Sequence, residues 1–307
     1  MDKRTKRYLQ SAVDESEFPN LEAIHTYLEE RHHAIEQSLA SSDPPEHLRS
    51  LPPNKRLLAV VPYRVSEALL LAGVLAAREN LAAREEVAVQ EEASMNMLHN
   101  SLFSFGRLEH ARHQLLNSGY DHCILFNQAV AAIAGWDLAL VNTMFPPAKG
   151  LAAKGQRFLV AAANLFMSTL WDDDRLVAKS VEQAEVFLTR KNSKFDDASV
   201  RYLVAVATRE VTVAQDWLSR VCSMYMRATS IHGHRGPILK VLGIYPHGLF
   251  NLGVHRFGTS GEPPFSLPDD PFLWRELADF QQQSGHAAGE PLLTFRPPIA
   301  VLNEIYE

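Results

Sequence analysis

Three consecutive aspartates, Asp172–Asp174, follow a tryptophan inside a largely apolar stretch of the chain. Clustered carboxylates could bind a divalent metal ion, because Mg²⁺ prefers oxygen ligands. All-helical enzymes that act on prenyl diphosphates carry acids at positions i, i+1 and i+4 of one helix. Here the i+4 residues are Leu176 and Val177, and from the second acidic pair, beginning at Asp196, the i+4 residue is Val200. The spacing therefore argues against this metal site.

Histidines suggest a second possible chemistry. His232 and His234 flank a glycine, but a zinc site needs three or four ligands. The sequence has neither a Cys-x-x-Cys nor a His-Glu-x-x-His motif. We therefore expect a glycine-containing turn, and leave open whether His232 and His234 bind a metal. An enzyme with an unusual site around these two residues and His247 is one hypothesis.

Nucleophile and nucleotide signatures are also missing from the sequence. "FGTSGE" departs from the Gly-x-Ser-x-Gly elbow, because Gly261 follows Ser260 directly and no strand precedes it. There is neither a Walker phosphate loop nor a dinucleotide fingerprint. We therefore expect a binding protein without catalytic, cofactor or metal sites.

Composition narrows the class of protein further. The net charge of −6 and the pI of about 6.1 argue against a nucleic-acid binder. No apolar run approaches the roughly 18 to 20 residues of a membrane span. Only two cysteines occur, Cys123 and Cys222, which favours a reducing compartment. We expect a cytoplasmic protein that does not contact a membrane; its oligomeric state is not indicated.

The elements that must position these residues are helices. Apolar residues recur with a period near 3.6, and almost nothing alternates with period two. An apolar helix, a polar turn and an amphipathic helix occur three times, with turns near Asp137, Asp173 and Glu210 that are 36 and 37 residues apart. The sequence predicts an all-α fold of stacked helical hairpins, as an irregular bundle or a short degenerate α-solenoid, with a loop-rich C-terminal segment.

This repeat gives the aspartate triplet a structural role. We expect Asp172–Asp174 to form the N-cap and first turn of a helix that runs to about Arg190. Asp137 occupies the same position in the first hairpin, and Thr212 with Gln215 forms a Thr-x-x-Gln capping box in the third. The triplet and the acids that follow it could also contact a basic partner. The predicted partner-binding residues are Asp172, Asp173, Asp174, Glu182, Glu185, Asp196 and Asp197.

Three segments are expected along the chain. N-terminal helices occupy residues 1–45, and a central helical core occupies residues 56–253 after a proline-rich stretch. A loop-rich segment, residues 254–307, contains many glycine, proline and histidine residues near its start. We expect it to pack on the core, so that the chain forms one compact domain.

The stretch from Tyr120 to Gly253, with its repeated "GWDLALV" and "WDDDRLV" turns, resembles the immunity protein 49 family of bacterial polymorphic toxin systems. The resemblance covers less than half of the chain and carries no functional residues position by position. It implies a stoichiometric inhibitor that neutralises a cognate toxin in the cytoplasm. Such toxins are often nucleases with a basic cleft, which an acidic protein would complement. The alternative is a helical-repeat scaffold or regulatory protein that binds a peptide or protein partner.

Overall fold

The computed structural model describes residues 2–43, 45–61, 63–82, 88–116, 125–228, 236–258 and 265–307. These residues contain α-helices and no strands, so the all-α prediction is confirmed. The helices are α1 Lys3–Glu15, α2 Leu21–Leu39, α3 Glu46–Arg49, α4 Pro53–Val60, α5 Tyr63–Ala82, α6 Ala88–Leu116, α7 Phe126–Ala134, α8 Leu138–Met144, α9 Arg157–Trp171, α10 Asp174–Leu188, α11 Lys194–Ala207, α12 Val211–Tyr225, α13 Pro237–Val241, α14 Ile244–Phe257 and α15 Arg275–Gln283. Short 3₁₀ helices span Pro147–Lys149 and Ala300–Tyr306.

The chain divides into two compact units. The hairpin unit comprises Met1–Leu9 and Gly119–Ala287, and the second unit comprises Gln10–Ser118 and Ala288–Glu307. This division differs from the three segments expected from the sequence. It separates residues 56–118 from the rest of the expected core, and it distributes the C-terminal segment between both units, because the end of the chain has its own apolar anchors in the second unit.

The three predicted hairpins lie in the hairpin unit, as α7–α8, α9–α10 and α11–α12. The first helix of each pair is the more buried, and α9 is apolar on nearly all sides. α9 packs against α7, α10 and α11. α14 packs against α7, α11 and α12, and this helix, buried from Ile244 to Val254, closes the core of the unit.

Each hairpin turn is built around one left-handed residue. The residues with positive φ at these turns are Trp136 (55°), Asp172 (49°) and Arg209 (61°). In the first and third turns the next backbone N–H bonds five residues back, from Asp137 to Ala132 at 3.0 Å and from Glu210 to Ala205 at 2.8 Å. Such a bond closes a helix whose C-terminal turn contains a left-handed residue, and α8 and α12 begin directly after these turns.

The crossing of α14 and α7 depends on a glycine. A β-carbon placed on Gly248 would lie 2.1 Å from the carbonyl oxygen of Val130. Asn251, one turn further along α14, donates a hydrogen bond from its side chain to the carbonyl oxygen of Ile133 at 2.9 Å. The two backbones therefore approach as closely as a glycine allows and are held there by a buried amide.

The second unit contains α2 to α6 and the chain terminus. Asn20 caps α2, since its side chain accepts a hydrogen bond from Ala23 N at 2.9 Å. α6 continues through Gly106, and α5 packs along it. Phe295, Ile299 and Leu302 are buried in the same apolar cluster as α2 and α4.

Within the described ranges, no single helix has both the length and the apolar character needed to cross a membrane, although the bent pair Pro53–Ala59 and Tyr63–Glu79 meets the test on length and composition when taken together.

Candidate functional site

Asp172 does not cap α10, contrary to expectation. It ends α9 in the left-handed conformation, which aspartate adopts more readily than most residues. Its carboxylate accepts hydrogen bonds from Arg256 and from Arg209, the latter at 2.9 Å. These hydrogen bonds, with that of Arg256 the stronger influence, hold the pKa of Asp172 below its usual value. Asp172 therefore joins its own turn to the next hairpin turn and to α14.

Asp173 is the residue that caps α10. Its carboxylate accepts hydrogen bonds from the backbone N–H groups of Arg175 at 2.9 Å and Leu176 at 3.1 Å. Asp137 caps α8 in the same way, accepting from Leu140 N at 3.0 Å. The capping prediction is confirmed at these two turns. In the described part of the chain, no group of three histidine, cysteine or acidic residues could hold a metal ion.

The third turn lacks the predicted capping box. α12 begins at Val211, so Thr212 lies inside the helix, and Glu210 occupies the N-cap without a side-chain bond. Gln215 instead accepts a hydrogen bond from Ser266 N at 2.9 Å. The prediction was wrong because the left-handed residue Arg209 starts the next helix at once, two residues earlier than the Thr-x-x-Gln pattern suggested.

The acids at the start of α11 are only partly exposed. Asp196 and Asp197 lie in the first turn of this helix, whose N-cap is Ser193. Asp197 pairs with Arg201 at 2.8 Å, and the Arg201 guanidinium lies over the Trp217 ring, 5.3 Å from its centroid. Asp197 is thus engaged by its own helix and does not present an unpaired charge.

Three of the seven predicted residues remain as exposed acids on α10, namely Asp174, Glu182 and Glu185. At 3.6 residues per turn they fall within an arc of about 80° on the solvent face. We call these three residues the acidic stripe. The opposite face of α10 is apolar and buried at Val177, Ala184 and Phe187. The structure therefore brings part of the predicted surface together on one helix.

The adjacent arc of α10 carries the opposite charge. Arg175 and Lys179 are exposed there, one turn apart, and Arg190 follows just beyond the end of the helix. The exposed surface of α10 is thus divided lengthwise into an acidic and a basic side. Sequence reasoning missed the basic side, although the i, i+4 spacing of Arg175 and Lys179 was a visible signal.

A pocket of about 410 Å³ opens on this basic side. It lies between the loop before α9, the first turns of α9 and the end of α10. Its lining residues are Ala152, Ala153, Lys154, Gly155, Arg157, Val160, Ala161, Gln183, Val186, Phe187 and Arg190. We call this space the α9–α10 pocket. Its size is within the range of small-molecule sites.

Of the three histidines proposed for an unusual catalytic site, only His247 lies in the described part of the chain. His232 and His234 lie outside the described residues. His247 is fully buried, and its Nε2 accepts a hydrogen bond from Trp274 N at 3.0 Å. Burial lowers the pKa of His247 to about 3, so the ring is neutral at physiological pH and serves as an acceptor in the core.

The chain was compared with protein-family models, with curated proteins and with solved structures. No family model matches it, and neither a curated protein nor a solved structure matches it.

Proposed function

We propose that this protein is an immunity protein that binds and neutralises a cognate antibacterial toxin in the cytoplasm. The observation that carries the proposal is the acidic stripe: three exposed carboxylates, Asp174, Glu182 and Glu185, on one side of a hairpin helix that is otherwise anchored in the core. The resemblance of residues 120–253 to the immunity protein 49 family supports it independently.

Charge gives the stripe a function in this scheme. A toxin that acts on nucleic acid presents a basic cleft to its substrate, and an acidic helix can occupy that cleft. The net charge of −6 and the local stripe act together to attract a basic partner and speed the encounter. The caps and the buried face hold α10 rigidly, which reduces the entropy lost on binding.

The experiment begins with the toxin candidate encoded beside this gene. The two proteins are co-expressed, and the growth of the cells and the stoichiometry of the purified complex are measured. The test variant is Asp174→Lys with Glu182→Lys and Glu185→Lys. We expect it to weaken binding at least about tenfold and to make the remaining affinity less sensitive to salt, because direct charge contacts are lost.

A matched control changes the net charge equally at another place. Glu30→Lys with Glu36→Lys and Asp43→Lys replaces three exposed acids of the second unit. Protection of cells by this control, and loss of protection by the α10 variant, would support the proposed surface. Equal affinities of both variants for the toxin would exclude the stripe as the interface, and an unprotected wild type would contradict the immunity function itself.

The alternative function is a helical scaffold that binds a peptide. The three consecutive hairpins, α7–α12, favour it, because such arrays present repeated surfaces to extended partners. A scaffold would select a peptide from a random library and would not protect cells from the neighbouring toxin.

A further inference from the structure

The α9–α10 pocket combines positive charge with an apolar wall. Arg157 and Arg190 lie on its rim with Lys154. Among the described residues, neither arginine forms an ion pair with a carboxylate. Two unbalanced guanidinium groups in a protein of net charge −6 mark a local site of opposite sign. Guanidinium groups bind carboxylate and phosphate oxygens in a fork geometry.

The wall of the pocket is apolar and partly open to solvent. Val160 and Ala161 of α9 and Val186 and Phe187 of α10 line the pocket. Val186 is 52% exposed, which is unusual for a large apolar residue in this protein. Apolar surface beside two cations suits a ligand with both an anionic and an apolar part.

Behind the lining, a buried amide holds two lining residues of the pocket, Ala152 and Gln183, in place. Asn164, which is fully buried, accepts a hydrogen bond from Ala152 N at 2.7 Å and donates to Ala152 O at 3.0 Å. The same amide donates to Gln183 Oε1 at 2.6 Å. The loop, α9 and α10 are thus fixed around the cavity before any ligand arrives, so little ordering is needed on binding.

The start of α9 adds to the positive field. Arg157 is its first residue, and Gln156 at the N-cap provides no side-chain acceptor to the first turn. The N-terminal end of a helix carries about half a positive charge and binds anions through its backbone N–H groups. Arg157, the first residue of this helix, is one of the residues that line the cavity.

We propose that the α9–α10 pocket binds a small organic anion in which a phosphate or carboxylate head is attached to an apolar body. The head lies between Arg157 and Arg190, and the body lies against Val160 and Val186. The inference stands on the pocket alone and does not depend on the toxin partner. It also uses the side of α10 that the acidic stripe leaves free.

The test is a titration of the full chain with phenyl phosphate, in which binding is measured by calorimetry and by NMR of the backbone amides. We expect saturable 1:1 binding with a dissociation constant of about 1 mM or tighter, and shifts at the amides of Val160 and Val186. In parallel, 3-phenylpropanoate distinguishes a carboxylate from a phosphate head. Inorganic phosphate and 2-phenylethanol each lack one half of the ligand and are expected to bind more weakly.

Arg157→Gln and Arg190→Gln are each expected to weaken binding about tenfold, because each removes one charged hydrogen bond. Arg175→Gln is the matched control, because Arg175 is an exposed arginine of α10 that lies outside the lining. Both rim arginines are exposed, so the variants should fold. The proposal is overturned if neither phenyl phosphate nor 3-phenylpropanoate binds saturably. It is also overturned if the rim variants bind as tightly as the control, or if inorganic phosphate binds as tightly as phenyl phosphate.

Discussion

The carboxylate of Asp172 accepts a hydrogen bond from the guanidinium of Arg209 at 2.9 Å, across 37 residues of sequence. Both residues are left-handed, and they occupy equivalent positions in successive hairpin turns. The ion pair therefore connects one hairpin to the next, at the turns where the chain reverses its direction. Arg256 of α14, whose side chain is only 6% exposed, donates to the same carboxylate oxygen, Oδ1.

The first prediction concerns the pH dependence of this link. The pKa of Asp172 is lowered by Arg256 and Arg209, so its stabilising effect is present above the usual aspartate pKa and is lost as the pH falls through the lowered value. Asp172→Asn keeps a residue that tolerates the left-handed conformation and removes the charge. We expect its urea midpoint to be below that of the wild type at neutral pH, with the difference shrinking in acid.

The control for this measurement is Asp43→Asn, an exposed aspartate in the second unit. Its midpoint should follow that of the wild type at every pH. A difference between Asp172→Asn and the wild type that stays constant down to about pH 2 would show that the ion pairs are not its cause.

The second prediction separates the members of the aspartate triplet. Asp173→Ala removes the acceptor of two backbone N–H groups and should lower the free energy of unfolding by about 1 kcal/mol. Asp174→Ala removes only a favourable charge in the first turn and should cost about half as much or less. Chemical denaturation of both variants gives the comparison, and equal losses would argue against Asp173 as the cap.

Local chemistry at the turns was predictable from the sequence. The spacing of Asp137 and Asp173 located two helix starts correctly, because an N-cap needs only a short acceptor side chain beside a helical pattern. The third helix start was predicted at Thr212, because Thr212 and Gln215 fit the capping-box pattern, but α12 begins at Val211. The deciding factor was the left-handed backbone at Arg209, and arginine gives no sequence signal for that conformation.

Contacts between distant segments were not predictable. Asp172 was expected to cap a helix because it begins the aspartate triplet at a hairpin turn. Its partners Arg209 and Arg256 are far away in sequence, so nothing local indicated that they would bind its carboxylate. The α9–α10 pocket was not predicted for the same reason. Arg157 begins α9 and Arg190 follows the end of α10, and only the packing of these two helices brings both residues to one cavity. The apolar period gives each helix its buried face but leaves its neighbours undetermined.

The third prediction tests the crossing of α14 over α7. Alanine normally stabilises a helix interior relative to glycine, but Gly248→Ala places a methyl group against the carbonyl oxygen of Val130. We expect a net loss of about 1–3 kcal/mol in the free energy of unfolding, as for other overpacked cores.

Gly285→Ala provides the comparison for this variant. Gly285 has a φ of 66°, and its added β-carbon would meet no atom within 4 Å. That variant should lose roughly 1 kcal/mol from backbone strain alone. A Gly248→Ala protein as stable as the wild type would mean that the two backbones separate freely.

The fourth prediction uses the buried imidazole. Burial lowers the pKa of His247 to about 3, from a usual 6.5, so the unfolded chain binds a proton between these values and the folded chain does not. This group therefore reduces stability as the pH falls below 6.5, by up to about 1.4 kcal/mol per pH unit. His247→Gln keeps an acceptor for Trp274 N but does not titrate.

The slope of unfolding free energy against pH should consequently be flatter for His247→Gln, by about one proton between pH 4 and 6. His33→Gln, which changes an exposed histidine, serves as the control and should leave the slope unchanged. Identical slopes for all three proteins would show that His247 is protonated in the folded state.

The fifth prediction addresses Asn164, which holds Ala152, a lining residue of the α9–α10 pocket, by two hydrogen bonds. Asn164→Ala leaves the N–H and C=O groups of Ala152 without their partner, in a place where both are buried. Each such group costs about 1–3 kcal/mol, so the loop should release Ala152 to solvent before the unit unfolds. Hydrogen exchange at the Ala152 amide should accelerate strongly, and exchange in the middle of α9 should change far less.

Ser180→Ala is the matched control, because the Ser180 hydroxyl donates to the Asn164 backbone carbonyl at 3.1 Å and not to Ala152. If Ala152 exchanged at the same rate in both variants, the amide of Asn164 would not be what holds the loop, and the pocket would owe its shape to the apolar contacts of α9 with α10.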